Sequence, residues 1–190
     1  MNKPFIEDEH FKGENYTQNR LAKGEYEHCT FTNCNFSNGN LTNSSFLECE
    51  FIDCNLSNSN ITASSFNEVL FKDCKLLGLR FDQCNDFLLS FTFEDCALNL
   101  ASFYQLKLKK IWFKKCILEE VDFVEADLTE ALFDDCNLKH AIFENTLLEK
   151  ADFRTSHSFS IDPENNRIKK AKFSKENIVG LLETYDIMIN

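Results

Sequence analysis

The sequence predicts an all-β fold, a quadrilateral parallel β-helix closed by a short C-terminal α-helical cap. Three observations predict it. Large apolar residues recur every five positions, from Phe31 to Phe81 and, after a slip of two residues, from Leu88 to Phe153. All nine cysteines keep one phase of that period, each two residues before a position that calls for a large apolar side chain. Residue types also return at every fourth repeat. A period of five fits neither an amphipathic helix nor a flat strand, whereas four five-residue segments make one square turn.

The columns test this geometry. Phe31, Phe51, Phe71, Phe93, Phe113, Phe133 and Phe153 form one, evenly spaced but for a longer step from Phe71 to Phe93. Cys34, Cys54, Cys74, Cys96, Cys116 and Cys136 form another, with the same longer step from Cys74 to Cys96. Two columns that stay in phase across the slip make residues 82–88 a two-residue bulge in one wall, not a domain boundary. Inside so narrow a coil each wall has room for one large side chain on the axis and one small one beside it. Burying a phenylalanine contributes roughly 1.5–3 kcal/mol, so the 20 phenylalanines provide a stacked core at only 43% hydrophobic composition. Coils stacked at about 4.8 Å, roughly seven of them, give a rod of roughly 35 Å.

The ends depart from the repeat, as the exposed ends of a solenoid must. Phe11, Tyr16, Leu21 and Tyr26 keep the phase, but Glu9, Glu14 and Asn19 stand where small inward residues belong. Residues 1–25 therefore read as an atypical cap coil. Asp162-Pro163 and Asn165-Asn166 mark a turn within 156–167, and Phe173 rejoins the phenylalanine column one coil after Phe153. The β-helix thus spans 1–173. Within 174–190, Ser174 is placed to cap a helix over about 175–184 with Ile178, Leu181 and Leu182 on one face.

Stretches such as Cys34-Asn35-Phe36-Ser37-Asn38, Cys54-Asn55-Leu56-Ser57-Asn58, Ala126-Asp127-Leu128-Thr129-Glu130 and Cys136-Asn137-Leu138-Lys139-His140 resemble the pentapeptide-repeat family motif, A(D/N)LXX, over about residues 26–153. The resemblance implies a right-handed coil and no enzyme. Proteins of the quinolone-resistance (Qnr) type in that family dimerise through a C-terminal module that this tail resembles. That implies a homodimer through Ile178, Leu182, Ile187 and Ile189. Qnr proteins are thought to imitate duplex DNA and enter the DNA-binding groove of DNA gyrase or topoisomerase IV. Their two long loops are missing here, which puts loop-dependent protection of gyrase from quinolones in doubt.

Composition narrows the function. A formal charge of −11, from 31 acids and 20 bases, opposes direct nucleic-acid binding, which needs Lys and Arg at phosphates. No stretch has the length of a membrane span, and Met1–Pro4 does not read as a secretory leader. An odd number of cysteines without a C-x-x-C fits free thiols in the cytoplasm and neither a disulfide framework nor a zinc site. No cofactor is expected. His10, His28, His140 and His157 are scattered without a nucleophile or carboxylate beside them, so no catalytic residue is assigned.

What remains is surface. Asp53, Asp73, Asp95 and Asp135 form an outward column interrupted by Lys115, read as a solvated wall and not as a substrate cleft. From Gly24 to Phe71 there is no Lys or Arg. Neither is there one from Cys116 to Leu138, where Glu119, Asp122, Asp127 and Asp135 are candidate contacts for a basic protein partner. Trp112, beside Lys114 and four further lysines, is expected outside on a column with Leu70, Thr92 and Leu132, a second candidate contact. The two functional readings are an acidic DNA mimic acting on a type II topoisomerase and an interaction scaffold unrelated to gyrase.

Overall fold

A computed structural model describes residues 4–185, 187 and 188. The chain winds as a four-walled β-helix in which every ladder is parallel. The first wall holds Phe5–Glu7, Glu25–Glu27, Ser45–Leu47 and Ser65–Asn67. The second holds His10–Lys12, Thr30–Thr32, Glu50–Ile52, Val69–Lys72, Phe91–Glu94, Trp112–Lys114 and Leu132–Asp134. Single bridges build the third wall, through Asn35, Asn55, Lys75, Ala97, Ile117 and Asn137, and the fourth, through Arg80, Ser102, Asp122 and Ile142. Each residue therefore sits beside its counterparts one coil before and one coil after it.

The axis is aromatic. Phe11, Phe31, Phe51, Phe71, Phe93, Phe113, Phe133, Phe153 and Phe173 stack with centroids 4.6–5.4 Å apart and nearly parallel rings. Neighbouring walls meet this column edge-on, as Phe103 meets Phe113 at 5.8 Å, the geometry the ring quadrupoles favour. The inner position beside each ring takes Cys, Ser, Thr or Asn because each finds an acceptor there. Cys54 Sγ donates to the Phe31 carbonyl at 3.2 Å, Ser64 Oγ to Leu41 at 2.6 Å, and Thr146 Oγ1 to Phe123 at 2.9 Å. A buried polar group without such a partner is costly. Size alone was the reason read from the sequence; hydrogen bonding to a carbonyl of the preceding coil is the second. All nine thiols are free, and burial pushes Cys49 up to about 12.

The corners explain the outward residues. Once in each repeat the backbone enters the left-handed region, as at Asn33, Asn38, Asp53, Asn58 and Asp73, where Asn and Asp are the best tolerated side chains after glycine. The Asn or Asp just before each centre has another task. Asn35, Asn55, Asp122 and Asp127 each accept the backbone N–H two residues on, an Asx turn that holds the bend.

At the slip the rod is continuous, as expected, because Val69–Lys72 pairs with Phe91–Glu94, Val69 opposite Phe91 and Phe71 opposite Phe93. One detail differs from the sequence reading. Leu88 is not an axial centre: it lies 62% exposed with φ +57. Phe91 replaces it from the inner position, its ring 5.0 Å from Phe81 and 5.8 Å from Phe66. The bulge carries residues 85–88 outward and leaves a gap above Phe66 that only a large side chain reaches.

The two ends differ. At the N-terminal end Phe11 stacks on Phe31 and Tyr16 on Phe36, each at 4.7 Å, and three walls of this first turn pair with the next coil, at Phe5–Glu7, His10–Lys12 and Asn15. At the other end the cap is not an α-helix. Two 3₁₀ turns, Ile178–Leu181 and Glu183–Tyr185, take its place. Ser174 and Asn177 bond each other reciprocally, and Asn177 Nδ2 donates to the carbonyls of Phe153 and Ser156. Gly180 gives its carbonyl to Ile161 N–H and lies so close to Phe159 that a Cβ would clash with it. Docking on Phe159 and Ile161, both buried, thus competes with helical hydrogen bonding and wins. Among the described residues no helix is long and apolar enough to cross a membrane.

Candidate interaction surface

The candidate acids divide by the corner or wall that carries them. Asp53, Asp73, Asp95 and Asp135 share the corner between the second and third walls with Asn33 and Lys115, all at left-handed positions. Asp53, Asp73 and Asp95 occupy consecutive coils, are exposed, and take part in no ion pair among the described residues. Beside them Asn33, Asn35, Asp53, Asn55, Asp73 and Lys75 line a groove of about 400 Å³.

Glu119, Asp122, Asp127 and Asp135 are not brought together. Each repeat advances the chain by one wall, so a run of acids in sequence is wound around the rod. Asp122 lies on the fourth wall, Asp127 on the first, and Asp135 on the corner already described. Most are also engaged. Asp127 Oδ2 is 3.3 Å from Lys109 Nζ, and Glu119 accepts from both Asn99 and Asn137. Glu130 is paired with Lys150 at 2.7 Å, and that lysine holds its carboxyl below the ordinary range. Two acids of the run without bases, Asp127 and Glu130, are thus paired with lysines one coil away.

Trp112 stands outside as expected, 39% exposed, in register with Thr92 and Leu132. Lys114 is not free to bind. Its Nζ lies 2.7 Å from Glu94 Oε1 and 5.7 Å above the Trp112 ring. At the C-terminal end Ile178 and Ile187 are exposed and Leu182 is half-buried, whereas Ile189 lies outside the described residues. Phe87, the most exposed phenylalanine at 74%, was not singled out in the sequence. Its position in the slip, out of phase with every column, was the available signal. Among the described residues no group of His, Cys, Asp or Glu has the arrangement of a metal site.

Rings on the axis, small donors beside them and Asx turns at the bends define a solenoid of five-residue units. The family model for the pentapeptide repeat region matches residues 24–103, 44–123 and 90–181, and the chain belongs to the pentapeptide-repeat family. HetL, a pentapeptide repeat protein involved in heterocyst differentiation regulation from the cyanobacterium Nostoc, is similar over 92% of this chain and 88% of its own, at 12% identity and a TM-score of 0.58. Full-length QnrB1, a plasmid-mediated fluoroquinolone resistance protein, aligns over 96% of this chain and 100% of its own at 20% identity, with a TM-score of 0.47. A comparison with curated protein sequences finds no match. At 12% identity the likeness to HetL speaks to the fold alone.

Proposed function

We propose that this chain is a non-catalytic protein-interaction module of the cytoplasm that offers the Asp53–Asp73–Asp95 corner to a basic surface on a protein partner. One observation carries the reading: three exposed carboxylates in line, one coil apart and without ion pairs among the described residues, the first of them, Asp53, within a stretch that has no Lys or Arg from Gly24 to Phe71. A stiff acidic edge steers toward a positive groove at a rate that falls with salt. Of basic grooves, the DNA-binding surface of a type II topoisomerase, DNA gyrase or topoisomerase IV, is the one the family resemblance suggests, with the rod standing in for DNA. The nine free thiols agree with a reducing compartment.

The test is gyrase supercoiling with the purified protein, with and without a quinolone. Inhibition at micromolar protein is expected, weaker at high salt and lost in the triple variant Asp53→Asn, Asp73→Asn, Asp95→Asn, in which asparagine suits the left-handed corner and preserves the fold. No inhibition, or a triple variant as active as the parent, sinks the proposal. A second reading, a scaffold unrelated to gyrase, is favoured by the outward stripe of Leu70, Trp112 and Leu132. It requires partner capture that Trp112→Ala abolishes while gyrase is untouched.

A further inference from the structure

The corner between the first and second walls changes character at the slip. Below it stand acids, Asp8, Glu48 and Glu68; above it stand mostly lysines, Lys110, Lys150 and Lys170; every one is at a left-handed position, as is Leu88 between them. The edge is therefore polar along its length, with an apolar projection at its middle. Phe87 and Leu88 form the projection, 74% and 62% exposed. On the adjoining second wall Leu70 lies one coil below the slip and Trp112 one coil above it, paired through Thr92. The apolar patch is thus centred on the slip, and the charges change sign across it.

We propose that this edge is a self-association surface, covered by a second copy of the chain lying antiparallel about a two-fold axis at Leu88. An isologous interface must be complementary to itself, and this edge is. Rotation about Leu88 sets Leu70 against the partner's Trp112, Glu68 against the partner's Lys110, and Asp8 against the partner's Lys170. Glu130, which meets the partner's Glu48, is already neutralised by Lys110 and Lys150 at 3.9 and 2.7 Å. His28, which meets the partner's Lys150, brings Glu27 and Glu48 with it at 3.6 and 3.4 Å. A uniformly acidic or basic partner would meet like charge over half of the edge, which is why a second copy fits best. An apolar centre within a charged rim is the usual anatomy of an interface. The nine coils from Asp8 to Lys170, at about 4.8 Å each, make an edge of about 40 Å, so a strip about 20 Å wide supplies the roughly 800 Å² per partner of a stable complex. The Asp53–Asp73–Asp95 corner stays open in such a dimer, and the inference is independent of what binds there.

Sedimentation equilibrium of the full chain tests this. A dimer is expected at about 10 μM, weaker as salt rises. Phe87→Ser with Leu88→Asn is expected to weaken it at least about tenfold. Asparagine suits φ +57 at that position, and an unchanged circular dichroism spectrum confirms the coil. Glu68→Lys and Lys110→Glu are each expected to weaken the dimer about fivefold, and together to restore it to within about twofold. Ile187→Ser with Met188→Ser is expected to leave it intact. A monomer up to about 100 μM, an open-ended series of oligomers, a charge pair that fails to restore, or a dimer lost only in the C-terminal variant would each overturn the proposal.

Discussion

Between Glu25 and Phe81 the left-handed corners are filled largely by Asn33, Asn38, Asn43, Asp53, Asn58, Asp73 and Gly78; between Phe91 and Phe153, apart from Asp95, Asp135 and Asn145, they are filled by other residues such as Leu100, Gln105, Lys110, Lys115, Glu120, Glu125 and Glu130. The lower coils thus have corners that favour their backbone, and their acids form no ion pair with Lys or Arg among the described residues. The upper coils place poorer residues at the same turns and tie them together across coils, as Lys114 to Glu94 and Lys150 to Glu130. Their inner positions differ as well, with Ser44, Ser59 and Ser64 below and Ala101, Ala126 and Ala141 above. The aromatic rings shift too: Tyr26, Phe46 and Phe66 stack on the first wall below, and Phe81, Phe103, Phe123 and Phe143 stack on the fourth wall above. One coil geometry accepts both sets because the neighbour that decides each residue's environment lies a full turn away.

If the two halves share one core, the largest loss must be equal in both. Phe51 and Phe113 are fully buried and stacked on both sides at 4.7–5.3 Å. Phe51→Ala and Phe113→Ala are each expected to cost about 3–5 kcal/mol, read from urea unfolding followed by circular dichroism. A difference above about 2 kcal/mol between them means that one half is packed less tightly than the other.

Exchanging inner residues between the halves probes a smaller effect. Ser64→Ala removes the 2.6 Å bond to the Leu41 carbonyl and is expected to cost about 0.5–1.5 kcal/mol. The converse change, Ala126→Ser, is expected to cost under about 0.5 kcal/mol, since the Phe103 carbonyl stands where Thr146 finds that of Phe123 one coil on. A cost above about 2 kcal/mol for Ala126→Ser shows that the Phe103 carbonyl is not within reach of a hydroxyl at that position.

The columns, the continuity of the rod and the cysteines inside it were legible because side-chain size alone enforces them at every coil. Leu88 was misread and Phe91 missed for a physical reason: a bulge changes which residue faces inward, and spacing carries no record of how far the loop swings. The acids from Glu119 to Asp135 looked like one surface since a linear reading cannot show a run wound over successive walls. The lysine partners of Asp127 and Glu130, a coil away along the rod, become visible only once the register is known. Asp53, Asp73 and Asp95 were legible as a line, but the left-handed backbone that selects them was not. For the C-terminal segment, Ile178, Leu181 and Leu182 suggested an α-helix. The backbone of Gly180 against Phe159, a contact with the coil beneath, decided otherwise.

The smallest effect distinguishes the halves most directly, because salt acts on them with opposite sign. Lys114 holds Glu94 below the ordinary carboxylate range, Lys150 does so for Glu130, and Arg154 for Asp152. A carboxyl with a depressed folded-state pKa adds stability above its unfolded value and loses it as pH falls through the folded one. The upper coils are therefore expected to weaken between about pH 5 and pH 2, seen as a lower urea midpoint by fluorescence of Trp112, the sole tryptophan. At neutral pH these exposed pairs are screened by salt, and each contributes little. In the lower coils salt instead relieves repulsion among unpaired acids. Hydrogen exchange at about 50 mM and about 500 mM salt is expected to quicken a few-fold over residues 93–153 and to slow or stay level over residues 29–76. Equal changes in both would mean that the cross-coil pairs do nothing for the upper half, and the contrast drawn from their geometry would fail.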